Sequence, residues 1–154
     1  MGDPQSTFQD LLKDHSTLRG EIGDLRQFLE GSRPEPGDEA YFTWLPSLAE
    51  KITRLYIGTA QHFRREEQSG VMADIRDQHP RAIAAVETLH RDHDRILADL
   101  RSILSAVMAY GKEEMPAHPL RRWALSILDQ LVEHEQQETD LFQELVYQEL
   151  GGGG

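Results

Sequence analysis

The sequence predicts an all-α protein, an up-down-up-down four-helix bundle, from two observations. Apolar residues recur every three or four positions along four segments, which is the spacing of one helix face. Breaks containing glycine and proline separate the segments and are short enough for antiparallel neighbours. Apart from short apolar runs, which are ambiguous, nothing in the pattern suggests strands. Residues 1–150 are therefore expected to form one domain, followed by a flexible glycine tail at 151–154.

The first two predicted helices are each bounded by recognisable signals. Ser6 is a candidate N-cap for the first helix, and the loop at 31–37 ends it. The second helix is expected to begin between Glu39 and Ser47, where Pro46 makes Thr43 a candidate N-cap. Residues 69 and 70 are expected to end it, with residues 71–78 completing the connection. The apolar stripe of the first helix comprises Phe8, Leu11, Leu12, His15, Leu18, Ile22, Leu25 and Leu29. The stripe of the second helix comprises Leu48, Ile52, Leu55, Thr59, His62 and Glu66.

The third and fourth predicted helices are separated by a break at 111–118. His79-Pro80 is expected to open the third helix, because proline is tolerated at a first helical position. The fourth helix is expected to run from about Pro119 to about Leu150. Their stripes comprise Ile83, Val86, Leu89, His90, His93, Ile96, Leu97, Leu100, Leu104 and Val107, then Leu120, Trp123, Ile127, Leu131, His134, Glu138, Leu141, Phe142 and Leu145.

Composition narrows the classes of function. The net charge of −11 would repel a phosphate backbone or an anionic membrane, so neither nucleic acid nor membrane is expected as a partner. The absence of cysteine excludes disulfides, thiolate zinc sites and cysteine-ligated iron–sulfur clusters in this chain. The first thirty residues lack the pattern of a signal peptide, and no apolar run approaches the roughly 18 residues of a membrane span. A cytoplasmic location is therefore expected.

A pair of histidine and glutamate, four residues apart, occurs twice in the sequence. The pairs are His62-x3-Glu66 and His134-x3-Glu138. Each follows an Asp-His dipeptide: His15 of Asp14-His15 is 47 residues before His62, and His93 of Asp92-His93 is 41 residues before His134. Residues four apart lie on one face of a helix, so each pair directs an imidazole and a carboxylate the same way. The repetition predicts a duplicated helix pair that places these groups in the middle of the bundle.

Seven nitrogen or oxygen donors fall on or beside the apolar stripes, where polar groups are costly unless paired or coordinated. They are His15, His62, Glu66, His90, His93, His134 and Glu138. Seven donors exceed what one tetrahedral zinc ion needs. The sequence thus predicts two cations bridged by Glu66 and Glu138, with imidazoles in the terminal positions. Nitrogen–oxygen ligation suits iron, with manganese or zinc as possible substitutes.

Neighbouring polar residues are interpreted more simply. Asp14 and Asp92 are expected outside the ligand set, where either could orient an imidazole. Glu67 points about 100° away from Glu66 and is expected to be solvated. His79 and His118, each before a proline, are interpreted as loop or capping residues. The aromatic residues Tyr56, Phe63, Trp123 and Phe142 are expected to pack in the core, with Tyr56 also a candidate neighbour of the ligands.

Two other metal-site motifs do not fit. A ferritin-type site needs Glu-x-x-His on two helices, whereas Glu87-x-x-His90 occurs without a partner. A zinc protease needs His-Glu-x-x-His, and the stretch from His134 to Glu138 lacks the second histidine.

The four signatures together resemble those of the hemerythrin-like, or HHE cation-binding, family over residues 8–149. The resemblance implies a four-helix bundle holding a non-haem di-iron centre with carboxylate and oxo or hydroxo bridges. It also implies binding of dioxygen, or sensing of oxygen, nitric oxide or iron. Matching motif positions assigns the ligand role to His15, His62, Glu66, His93, His134 and Glu138.

The sequence departs from the oxygen-carrying members of that family at two positions. Where they have an extra histidine, four residues before the third-helix ligand, this chain has Leu89. His90 is one residue later on nearly the same face and is the candidate replacement. Where they have an aspartate five residues after the fourth-helix histidine, this chain has Thr139, with Glu138 one position earlier. Both departures favour the broader bacterial-type family over a dedicated oxygen carrier.

The leading hypothesis is a non-haem di-iron protein that binds dioxygen or nitric oxide, in oxygen binding, storage or sensing. One alternative is a di-iron oxidase or peroxidase, favoured if Leu89 frees a coordination position. Another is a regulatory bundle whose metal reports iron or stabilises the fold.

Overall fold

The computed structural model describes the backbone of residues 4–31, 34–35, 38–110 and 117–151, and this part of the chain is all helical. Its five helices are α1 (Pro4–Glu30), α2 (Glu39–Gln68), α3 (Val71–Gln78), α4 (Ile83–Tyr110) and α5 (Ala117–Gly151). A single 3-10 turn at Pro80–Ala82 leads directly into α4. Within the described ranges there is no strand, as the sequence predicted.

The four long helices each contact two of the others, in the pairs α1–α2, α2–α4, α4–α5 and α1–α5. Phe28 near the end of α1 stacks on Trp44 near the start of α2, at a ring-centroid distance of 5.9 Å. Since Asp14, earlier in α1, reaches His62 near the end of α2, these two helices are antiparallel.

The contacts of α5 with α1 follow the same opposed order. Arg26, late in α1, pairs with Asp129 at 2.8 Å, and Arg121, earlier in α5, donates a hydrogen bond to the Leu29 carbonyl. His15, early in α1, contacts Thr139, late in α5. Asp14 and His15 of α1 therefore lie at the level of the His-x3-Glu segments of α2 and α5.

The apolar core is divided into two clusters along the helices. The larger includes Leu25, Leu55, Ile96, Leu100 and Leu131, from all four long helices. The smaller consists of Leu11, Val71, Met72, Ile75, Val86, Leu89, Phe142 and Leu145. In α1, α4 and α5 the histidine and glutamate positions fall between those that supply the two clusters. In α2, His62 and Glu66 flank Phe63 of the larger cluster and precede Val71 of α3 in the smaller, so hydrocarbon lies on both sides of a polar layer.

The second helix begins within the predicted range of Glu39 to Ser47, but the candidate N-cap Thr43 is wrong. The helix begins at Glu39, with Asp38 in the N-cap position, so Pro46 lies inside it and Thr43 is not a cap. The Thr43 hydroxyl instead donates to the Ala40 carbonyl, as is common for threonine within helices. Burial of Tyr41, Trp44 and Leu45 against the larger cluster compensates the missing backbone donor of the proline.

Residues 71–78, which the sequence analysis treated as connection, form the short helix α3. Gly70 has φ 77°, a left-handed conformation that glycine adopts without strain and that separates α3 from α2. A helix of eight residues is marginal by itself, but Val71, Met72 and Ile75 are buried in the smaller cluster. Tertiary burial therefore stabilises α3 over one end of the polar layer.

Three further predictions about the helices are corrected. Ser6 lies inside α1, which begins at Pro4, and Gly151 ends α5 and is not part of a tail. The expected tail residues 152–154 lie outside the described ranges. Trp123 is 38% exposed and does not pack in the core. Among the described residues, no helix has the length and apolar character needed to cross a membrane.

Candidate metal centre

Six of the seven predicted ligands lie in the polar layer, and all six are buried. They are His15 from α1, His62 and Glu66 from α2, His93 from α4, and His134 and Glu138 from α5. Each helix delivers its residues inward because they continue its apolar stripe at helical spacing. The duplicated sequence pattern thus corresponds to two helix pairs, α1 with α2 and α4 with α5.

The imidazole Nε2 atoms of three of these histidines face the carboxylates. The Nε2 of His62 lies 3.2 Å from Glu66 Oε2, and the Nε2 of His93 lies 3.5 Å from Glu66 Oε1. The Nε2 of His93 is also 3.7 Å from Glu138 Oε1, which the Nε2 of His134 contacts directly.

Donor atoms of the six residues group in two overlapping sets. The first comprises His15, His62, Glu66 and Glu138, and the second comprises His93, His134 and Glu138. Within each set, one donor atom from every residue lies within 4.8 Å of those of the others. Glu138 belongs to both sets, and Glu66 also approaches His93. The two glutamates therefore lie where they could bridge two cations.

A second layer of polar groups contacts the Nδ1 atoms of the four histidines. The Nδ1 of His62 lies 3.3 Å from Asp14 Oδ2, and the Nδ1 of His134 lies 3.5 Å from Asp92 Oδ2. Asp14 also accepts a hydrogen bond from the Arg65 guanidinium at 2.8 Å. These aspartates thus lie next to imidazoles, the position in which the sequence analysis supposed that they could orient a ligand.

The remaining two imidazoles have partners from the opposite helix pair. The Nδ1 of His15 lies 2.9 Å from the Thr139 hydroxyl, and the Nδ1 of His93 lies 3.4 Å from Glu67 Oε1. Thr139 and Glu67 directly follow Glu138 and Glu66 in the chain, so the second layer is duplicated as well. Glu67 is exposed, as the sequence predicted, and its carboxylate also reaches a buried imidazole.

Burial and neighbouring charge shift the histidine pKa values in different directions. Burial, with His62 nearby, lowers the pKa of His15 to about 4. Burial also opposes protonation of His93, but the carboxylates of Glu138 and Glu66 outweigh it and raise the pKa to about 10. For His62 the same competition, with Glu66 as the main carboxylate, raises the pKa.

The two central carboxyl groups are shifted in opposite directions. Burial, reinforced by the nearby Glu66, raises the pKa of Glu138. Burial also disfavours ionisation of Glu66, but its contacts with Glu138, His62 and His93 hold its pKa below the usual range. Without a cation, the shifts therefore favour protons on His62, His93 and Glu138. Cation binding would release these protons.

The structure does not bring His90, the seventh predicted ligand, together with the other six. Its side chain is 46% exposed, and its Nδ1 lies 3.9 Å from the outward-facing Glu67 Oε1. The sequence placed His90 on the inward stripe because it is three residues before His93. In the helix this offset rotates the side chain to the solvent edge of the α2–α4 contact, while Leu89 takes the buried position.

Glu135 is a buried carboxyl group that the sequence analysis did not select. It is 1% exposed, and neither carboxylate oxygen has a hydrogen-bond partner among the described residues. Burial raises its pKa to about 8, with the charge of His62 acting in the opposite direction. Periodicity gave no signal for it, since the residue next to His134 points about 100° away from the inward stripe.

The donor atoms fit cations better than they fit one another. All four Nε2 atoms and both carboxylate oxygens of Glu66 and Glu138 are buried without a satisfying hydrogen-bond partner in the described part of the chain. Buried polar groups are rarely left in that condition, so their arrangement calls for something to bind them. Imidazole and carboxylate donors without sulfur suit first-row transition metals such as iron, manganese or zinc.

The comparison with protein families agrees with this geometry. The model of the hemerythrin HHE cation-binding domain matches residues 6–146, which is nearly the whole chain, so the chain belongs to that family. Membership implies cation binding, and the groups of buried histidine and glutamate are the places where cations could be held. No curated protein and no solved structure shows significant similarity to the chain.

Proposed function

We propose that the chain binds two iron ions in the polar layer and uses them to bind dioxygen or nitric oxide. One ion would be held by His15 and His62, and the other by His93 and His134. Glu66 and Glu138 would bridge the two ions. The observation that carries this proposal is the convergence of buried Nε2 and carboxylate oxygen atoms that lack other partners.

The polar groups of the second layer would fix the tautomer of each histidine ligand. An imidazole that binds a cation through Nε2 must carry its proton on Nδ1, where it can donate a hydrogen bond. Asp14, Asp92, Glu67 and Thr139 lie at the four Nδ1 atoms and would hold each ring in that tautomer. A bound iron pair would supply the redox chemistry, and the chain would hold the ions and exclude water.

The bundle arrangement supports binding of a small ligand. We infer an up-down-up-down four-helix bundle from the cyclic pairing of the long helices and the antiparallel contacts of α1. Four terminal imidazoles and two bridging carboxylates supply eight bonds, fewer than two six-coordinate ions accept. Apolar clusters on both sides would admit a diatomic molecule more readily than a bulky polar substrate.

The proposal is tested by loading metal-free protein with Fe²⁺ without oxygen and then adding oxygen or nitric oxide. We expect one binding event per iron pair, seen as a change in visible absorption that reverses when the gas is removed. Glu138→Gln should weaken iron binding, whereas Glu133→Gln, at an exposed position of the same helix, should behave as wild type. An iron-loaded protein that responds to neither gas would contradict the proposal.

A di-iron oxidase or peroxidase is the second candidate, and the position of His90 favours it. Because His90 faces solvent, the centre has one protein donor fewer than the sequence predicted. An additional coordination position is then available for a reacting molecule. Sustained consumption of oxygen or peroxide, well beyond one equivalent per centre, would identify the protein as such an enzyme and exclude simple reversible binding.

A further inference from the structure

Next to the buried centre, two exposed side chains and the outer edge of one buried imidazole form a second group of metal donors. It consists of Glu67 on α2 with His90 and His93 on α4, whose donor atoms lie within 4.8 Å of one another. Glu67 Oε1 is 3.4 Å from the Nδ1 of His93 and 3.9 Å from the Nδ1 of His90. Two imidazole nitrogens and one carboxylate oxygen suit a divalent transition-metal ion.

We propose that Glu67, His90 and the Nδ1 of His93 form an outer cation site, through which divalent metal ions enter the buried centre. The outer site is occupied while the ring proton of His93 is on Nε2, before that nitrogen binds a cation and the proton returns to Nδ1. The proposal rests on the proposed function of that centre. The Nδ1 of His93 faces the outer site, and its Nε2 faces Glu66 and Glu138. The His93 ring therefore lies directly between the two sites.

Accessibility distinguishes this position from the remainder of the second layer. The side chains of Glu67 and His90 are 44% and 46% exposed, so a hydrated cation can reach them. Asp14 is engaged by Arg65 at 2.8 Å, and Asp92 by Arg95 at 3.0 Å. These two guanidinium groups compete with any cation for the aspartates. Among the described residues, the ion-pair partners of Glu67 are the imidazoles of His90 and His93.

The internal duplication provides a comparison within the same chain. His15 and Leu12 of α1 correspond to His93 and His90 of α4. Thr139 of α5 corresponds to Glu67 of α2. A hydroxyl group and an aliphatic side chain offer no charged donor to a cation. At His15 the second layer can therefore only orient the imidazole, whereas at His93 it also offers donors to a cation. Orientation of the imidazole does not need His90, since Thr139 alone faces the Nδ1 of His15.

The test is the rate at which metal-free protein takes up Co²⁺, followed by stopped-flow visible absorption. We expect His90→Ala and Glu67→Gln to slow uptake at least tenfold. His90→Ala should still reach the same final absorption as wild type, because the six inner donors and the partners of their Nδ1 atoms remain. Glu87→Gln, one turn before His90 at an exposed position of α4, is the matched control and should load at the wild-type rate.

The outcomes separate this inference from the proposed function. Wild-type protein that binds no Co²⁺ in the centre would refute the proposed function itself. Wild-type protein that binds two ions per chain, with His90→Ala loading equally fast, would refute only the outer site. His90→Ala leaves Glu67 facing the Nδ1 of His93, so slow loading by this variant would not be explained by loss of imidazole orientation.

Discussion

Replacing Glu135 by glutamine should stabilise the metal-free protein, increasingly so as the pH rises. The carboxyl group is buried and has no hydrogen-bond partner among the described residues. In the unfolded chain it would ionise near its ordinary pKa of 4.5, whereas burial raises the pKa in the folded protein to about 8. Between these values the folded protein binds the additional proton, so the carboxyl group makes stability fall as the pH increases.

The size of the effect follows from the shift in pKa. At about 1.4 kcal/mol per unit, a shift from 4.5 to about 8 corresponds to an upper limit of roughly 5 kcal/mol. Glutamine has a similar shape and does not titrate. The difference in unfolding free energy between Glu135→Gln and wild type should therefore grow by on the order of 3 to 5 kcal/mol from pH 4.5 to pH 8.5. Above pH 8.5 it should stay constant.

Urea unfolding of the metal-free proteins, followed by circular dichroism at several pH values, measures this difference. Other groups that titrate, such as His15 and His93, are present in both proteins and largely cancel in the comparison. Glu133→Gln, exposed on the same helix, should show no such trend. A difference between Glu135→Gln and wild type that does not change with pH would refute the reasoning, because Glu135 would then ionise alike in both states.

Three further predictions concern the packing and the second layer. Phe63→Ala removes a buried ring stacked on His93 at a centroid distance of 3.9 Å and should lower the unfolding free energy by about 3–5 kcal/mol; a loss below about 1 kcal/mol would show that the ring contributes little. Gly23→Ala should stabilise the protein by up to about 1 kcal/mol, because an added Cβ meets no atom within 4 Å in the middle of a helix. Gly70→Ala should destabilise it by about 1–2 kcal/mol, because φ at this position is 77°. Urea unfolding measures both changes, and equal effects would contradict the conformational argument. Asp14→Asn should weaken metal affinity about 10- to 100-fold in a competitive titration while the fold is kept, since Asp14 faces the Nδ1 of His62; unchanged affinity would remove Asp14 from the metal site.

Helical periodicity was sufficient to predict the four long helices and the interior position of six site residues. A residue such as His62 is placed inward by its own helix, because the apolar stripe defines which face is buried. Helix α3 could not be predicted in this way, since its stability comes from burial against residues distant in sequence. Trp123 fitted the stripe of α5 by spacing, but lies at its edge and is 38% exposed.

Features that depend on two helices at once were beyond the sequence pattern. Glu67 and Thr139 are offset by about 100° from the inward face, and only the packing of the helices brings them to His93 and His15. The prediction that His90 lies inside was wrong, because its three-residue offset from His93 does not reveal where the contact with α2 ends. The metal ligands, the single domain over residues 1–150 and the cytoplasmic location stay predictions.

The central claim is that imidazoles from four helices and two glutamates hold a pair of cations. Elemental analysis of protein produced with added iron tests it most directly, with His62→Ala measured beside wild type. The account predicts two iron ions per chain in wild type and at most one in the variant, because His62 is buried against Glu66 at the centre of the first donor group. Folded wild-type protein with no bound metal, or a variant that keeps both ions, would contradict it.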